Sequence, residues 1–235
     1  MRKTFQAHAI RALIAGTAIA AAPLTAQAAL SLTIPTHFLQ ANAIQAFSEK
    51  AMQAFDAVQI VLSGKGNATE VPGTTGAAYN LPVTSISLQL IKISGGAAKG
   101  SALEFLRLDE ADQVRQVTLA NFGIDFNKQQ VLADTTQNGQ ATQAKTPIFD
   151  FREQTALVLK YRFPLSITAH QVLDRLFLTP QAKQVFINGL NLPVFAQPLL
   201  DTIDFGTITI DVAVQARKSP ISTRPYVPTP YSPAP

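Results

Sequence analysis

VTLANFGIDFNKQQVLADTTQNGQ, Val117 to Gln140, is the stretch on which the fold reading turns. Val117 and Leu119 alternate with polar residues on one phase, and Phe122, Ile124 and Phe126 resume on the other. Side chains on a strand alternate with a period of two, so a change of phase requires an inserted bulge residue or burial of both faces. Asn121 and Gly123 flank Phe122 and tolerate the backbone angles of a bulge. The spacing therefore predicts a bulge between Ala120 and Gly123, with Phe122, Ile124 and Phe126 on the core side. Asn138-Gly139 is a two-residue hairpin signal that returns the chain into TPIFDF.

The same pattern extends on both sides. Upstream, TSISLQLIKIS alternates and changes phase at Ile91, GGAAKGS (Gly95 to Ser101) reads as a hairpin loop, and ALEFLRL returns with a slip at Leu106. DEADQ, Asp109 to Gln113, makes the next turn. Downstream, ALVLKYRF places Leu157, Leu159, Tyr161 and Phe163 on one face, and GTITIDVAVQA closes the folded part. Recurrent slips predict strands that bend together, as in a curved sandwich sheet.

Helices enter at three places. Ser48 caps EKAMQAFDA, with THFLQANAIQAF as a possible extension upstream. Thr168 and Gln171 form a capping-box pair ahead of AHQVLDRLF. Thr179-Pro180 begins PQAKQVFINGL. The fold class is mainly β, an antiparallel β-sandwich with two or three short packed helices.

The ends of the chain read differently. Arg2, Lys3 and Arg11, the apolar run Ala12 to Ala22 and Ala26-Gln27-Ala28 make residues 1–28 a signal peptide cut after Ala28. The product is periplasmic or secreted. Removing that segment takes three of 19 Lys and Arg and none of 15 acidic residues, which leaves a net charge near +1 and no case for nucleic-acid binding. With no cysteine, the single β-rich domain of residues 29–217 depends on core burial and backbone pairing. No further stretch is long enough for a transmembrane helix. Residues 218–235 hold six prolines in 18 residues and read as a disordered, mobile tail.

The residue inventory excludes much chemistry. Beyond the signal only His37 and His170 remain, without the spacing of a metal site. There is no G-x-S-x-G nucleophile elbow, and the lysine of GGAAKGS precedes the glycine that it follows in a phosphate loop. The carboxylates Asp109, Glu110 and Asp112, Asp150 and Glu153, and Asp201, Asp204 and Asp211 read as turn and solvated-face residues, with a carboxylate-based hydrolase as the enzymatic alternative. Asn67-Ala68-Thr69 matches a glycosylation pattern and is assigned no function. The reading is a non-enzymatic binding or surface-associated structural module for an unidentified ligand or surface partner, with no cofactor called for by the residues.

VTLANFGIDFNKQQVLADT followed by LFLTPQAKQVF resembles bacterial exported domains of the HtaA type, over Gln116 to Leu190. Uncharacterised proteobacterial secreted proteins share the layout. The resemblance implies a β-rich fold and a binding role, with a haem or apolar small-molecule carrier as the alternative function. Haem iron needs an axial donor, and Tyr161 and His170 are the candidates, although both also read as structural residues.

Overall fold

A computed structural model describes residues 31–73, 77–89, 92–155, 158–162 and 166–232. The signal-peptide segment, Ile91 and Leu157 lie outside the described residues. The strands are β1 (Ser31–Pro35), β2 (Leu39–Ala46), β3 (Ile60–Gly66), β4 (Thr69–Glu70), β5 (Ala78–Pro82), β6 (Ser85–Gln89), β7 (Lys92–Leu108), β8 (Val114–Asp125), β9 (Gln130–Gln137), β10 (Gln143–Glu153), β11 (Val158–Arg162), β12 (Ser166–Leu178) and β13 (Thr207–Ala216). Every pairing among the described residues is antiparallel, in the order β1-β6-β7-β8-β9-β10-β12-β13-β2-β5-β4, with β3 on β7 and β11 on β12.

One short connection curls this sheet into a sandwich. β5 pairs with β2 and β6 pairs with β7, yet only Val83 and Thr84 separate β5 from β6. Val83 N–H donates to Ala41 O and Thr84 N–H to Ala97 O, so this bent segment stitches the two halves together. The β6–β9 half therefore faces the β12–β13–β2–β5 half, as expected for a mainly β, sandwich-like domain.

Helices close one end of the sandwich. In α1 (Glu49–Ala57) the Ser48 hydroxyl accepts from Ala51 N–H at 3.1 Å, and in α2 (Pro180–Gly189) Thr179 does the same for Ala182, with Pro180 in the first turn. A 3-10 helix, Val194–Asp201, follows. Between them Phe55 stacks edge-on with Phe47 and Phe105 at 5.8 Å, Phe105 with Phe186 at 5.0 Å, and Phe149 tilts against Phe205 at 5.5 Å. Such ring pairs add to the burial of their area.

The bulge lies where the sequence puts it. The β8–β9 register shifts between Ala120 and Gly123, and Asn121 has φ 52°. Val117 and Leu119 before it, and Phe122 after it, are all buried in one core. Asn138 and Gly139 both have positive φ, the backbone that a tight hairpin turn needs.

Several segments depart from the sequence reading. AHQVLDRLF is not a helix but part of β12. Arg175 has φ 53°, and the β10–β12 register shifts between Asp150 and Arg152, so a second bulge brings Leu173 and Leu176 to the same face three residues apart. That spacing imitates a helix. The segment ahead of α1 is strand β2, in which Ala41, Ala43 and Gln45 alternate inward. GGAAKGS is not a hairpin loop but part of β7. At Leu106 there is no slip, because the inward position after Phe105 is Arg107, only 6% exposed. Its guanidinium donates to Val58 O, Leu190 O and Asn191 O, tying the C-terminal ends of α1 and α2 to β7. The proline-rich tail, expected to be mobile, lies along the domain and is hydrogen-bonded to it.

Candidate functional site

At the end of the sandwich away from the helices, the two halves leave a pocket. Its enclosed cavity is about 60 Å³ and reaches about 750 Å³ only when the open solvent in its mouth is counted. Its walls are apolar. Ile93 and Gly95 to Ala98 come from β7, Phe122, Ile124 and Phe126 from β8 and the turn after it, and Ala43, Ile210 and Val212 from β2 and β13. Small residues, Gly95 to Ala98 on β7, Ala43 on β2 and Ala169 on β12, line much of it. Ile124, Phe126, Ile210 and Val212 are only half-buried, as befits the rim of an opening.

Two amides interrupt this wall. Gln171 is 4% exposed and donates to Glu153 Oε2 at 3.2 Å. Gln45 is 2% exposed, and its Nε2 has no partner. A buried amide donor left unpaired costs about 1–3 kcal/mol.

Of the two residues singled out from sequence, His170 is placed elsewhere. His170 sits on β12 between Ala169 and Gln171, which both line the pocket, so its ring projects from the opposite face. There its Nδ1 meets Asp211 Oδ1 at 2.7 Å, in a shallow depression with Gln40, Asn42 and Thr168. Tyr161 lies on β11, where its backbone pairs with Ile167, whereas His170 pairs with Val158. The two therefore do not stand opposite each other in the ladder.

The carboxylates have structural partners. Asp109 accepts from the N–H groups of Ala111 and Gln113, from Arg115 at 2.6 Å and from Asn191. The Gln113 N–H first, and then the Arg115 guanidinium, hold its carboxyl well below the usual carboxylate range. Glu110 pairs with Arg107, Asp201 with Lys183, and Asp204 accepts from Leu176 and Gly206 N–H. Among the described residues no group of three or more His, Cys, Asp or Glu could hold a metal, and no helix is long and apolar enough to cross a membrane.

Gln45 was not legible as a site residue, because its missing partner is a property of the packed sandwich. The run of small residues was visible, but its composition reads as a turn.

No family model matches this sequence, and no curated protein matches it. Among solved structures, the C-terminal domain of HtaA from Corynebacterium glutamicum is similar to it at 11% identity and a TM-score of 0.49, over 74% of this chain and 97% of that one.

Proposed function

We propose that this protein is an exported, non-enzymatic binding module that carries a small apolar ligand between the two halves of its sandwich. An apolar wall interrupted by the Gln45 and Gln171 amides, of which Gln45 Nε2 has no partner, carries this reading. It suits an apolar body with one hydrogen-bond acceptor, such as a fatty alcohol. Orientation comes from the single polar contact and affinity from burial of the apolar body. Export rests on the basic start and the Ala26-Gln27-Ala28 site, and mass analysis of the product should find Ala29 as its first residue.

The test is a fluorescence titration with N-phenyl-1-naphthylamine, followed by displacement with dodecanol and with dodecane. Saturable one-to-one uptake is expected. Gln45→Leu should weaken dodecanol about threefold to tenfold, as loss of one hydrogen bond does, and leave dodecane unchanged or tighter. Absence of saturable uptake overturns the proposal.

A second reading, haem ligation by His170, draws on the Asp211 contact at Nδ1, which leaves Nε2 free to bind a metal. Because His170 faces away from the apolar pocket, the carrier reading predicts no saturable Soret shift on haem titration. A stoichiometric shift lost in His170→Ala would reverse the order of the two.

A further inference from the structure

The C-terminal tail is held by side chains alone. No backbone-to-backbone hydrogen bond joins residues 218–232 to the domain among the described residues. Three carboxamides grip its main chain instead. Asn67 accepts Ser222 N–H at 3.0 Å and donates to Ser222 O at 2.7 Å. Asn121 accepts Tyr226 N–H at 2.7 Å and donates to Tyr226 O at 3.1 Å. Gln116 donates to Thr229 O at 3.1 Å and accepts Tyr231 N–H at 2.9 Å.

Each amide is also fixed from the domain side. Asn67 donates to Lys99 O, Asn121 accepts Gly100 N–H and donates to Asp134 Oδ2, and Gln116 donates to Glu104 Oε2 at 2.6 Å. Glu104 is itself buried and paired with Lys65 at 3.0 Å. All three amides thus have their donor and acceptor ends set before a peptide arrives. That lowers the ordering cost of binding.

Shape and spacing agree with this chemistry. Gly66 and Gly100, both with positive φ, lie close under the tail: a Cβ on Gly66 would collide with Gly100 O and stand 2.9 Å from Tyr226 Cδ2, and one on Gly100 would stand 2.6 Å from Asn67 Nδ2 and 3.0 Å from Ser222 O. The tail runs antiparallel to β8, with Tyr226 at Asn121 and Tyr231 at Gln116. Five residues of polyproline helix advance about 15.5 Å and five residues of strand about 16.5 Å, so the two amides on β8 meet the tail in step. Proline at 225, 228 and 230 removes N–H groups that this site has no acceptor for. The tail also repeats its own motif, PYVPT followed by PYSPA.

We propose that the outer face of β3, β7 and β8 is a recognition site for an extended Pro-Tyr-x-Pro segment, filled in one chain by its own tail and able to take the tail of a second copy. The occupant follows from identity of sequence. Whatever fits in cis also fits in trans, and only residues 218–221 separate the tail from Arg217, which is anchored to Ala41 O, Asn42 Oδ1 and Phe38 O. Exchange of such an element between copies is a low-cost route to association.

Two full-length variants test this by complementation. Ser222→Pro with Tyr226→Pro removes the N–H groups that Asn67 and Asn121 bind, and leaves the site intact. Asn67→Ala with Gln116→Ala disables two of the three amides on the face and leaves the tail intact. Neither variant docks its own tail securely, whereas the tail of the second fits the site of the first. Sedimentation velocity should show each alone as a monomer and the mixture forming a species of twice the mass. A mixture that stays monomeric overturns the proposal and reduces the tail to an intramolecular strap. Should the double alanine variant fail to fold, Asn67→Asp alone keeps the side-chain shape and sets a carboxylate against the Ser222 carbonyl. The same two outcomes then apply.

Discussion

The two ends of the sandwich are built from the same strands and come out opposite in character. At the closed end β7 contributes Leu103 and Phe105, β8 contributes Val117 and Leu119, and β12 contributes Leu173 and Leu176, all nearly inaccessible and roofed by α1 and α2. At the other end the same three strands contribute Gly95 to Ala98, Phe122 to Ile124, and Ala169 with Gln171. Large side chains and helices exclude solvent at one end, whereas a stretch of small side chains with no helix over it among the described residues leaves a pocket at the other. Stability and binding are thereby assigned to different stretches of one strand. The bulge at Asn121 marks the boundary on β8, and on its outer face the same residue holds the tail.

The sharpest way to break this division is to truncate a ring at each end. Phe105 is 1% exposed and touches both Phe55 and Phe186. Phe105→Ala should cost about 4 kcal/mol in chemical denaturation, the transfer loss of the ring plus the cavity left behind. Phe122→Ala should cost less, about 2–3 kcal/mol, because part of that ring already borders empty space. Equal losses would mean that the open end is packed as tightly in solution as the closed one.

Legibility followed the same boundary. The first bulge was readable because Asn121 sits beside Gly123 and both residue types accept unusual backbone angles. The second was not, since Arg175 carries no such signature at φ 53° and the Leu173 to Leu176 spacing that it creates matches a helical face. The caps at Ser48 and Thr179 were readable because capping is a local hydrogen bond. Arg107 broke an apolar pattern without breaking the strand, since the carbonyls that satisfy it come from the ends of two helices distant in sequence. The pocket was hidden for a related reason. A run of glycine and alanine has the composition of a turn, and its place in a pocket wall depends on strands distant in sequence, β2, β12 and β13. Asn67 and Gln116 acquire their roles from the tail, more than 100 residues away.

A gentler probe of the closed end is acid. Asp109 closes the β7–β8 turn and accepts Asn191 just beyond α2, and its folded-state pKa is depressed by those donors and Arg115. A depressed carboxylate contributes stability that is present above its unfolded value, about 3.9, and lost as pH falls toward its folded value. Denaturation midpoints should therefore decline below about pH 4, and Asp109→Asn should flatten that decline while lowering the neutral-pH midpoint. His170 and the pocket lie outside this network, so ligand uptake at pH 5 should be unaffected. An unchanged acid slope in Asp109→Asn would place the acid sensitivity elsewhere.

The smallest expected effect is also the most direct test of the open end. Ala43 lines the pocket from β2, opposite Ile210 in the ladder and two residues from Gln45. Ala43→Val adds two methyl groups on a strand, where a β-branched side chain is at ease. In a packed interior, extra volume forces neighbours off their rotamers and costs about 1–3 kcal/mol. Where the volume enters a void, the added atoms gain contacts and the backbone need not move. Cavity filling of this kind commonly adds about 0.5–2 kcal/mol, and the lower half of that range suits two methyl groups. The same change shortens the space for a ligand, so N-phenyl-1-naphthylamine affinity should fall as stability rises. Opposite signs in the two measurements identify the pocket as a functional void. A loss of stability would show instead that the two halves already meet there and that the open end is closed in solution.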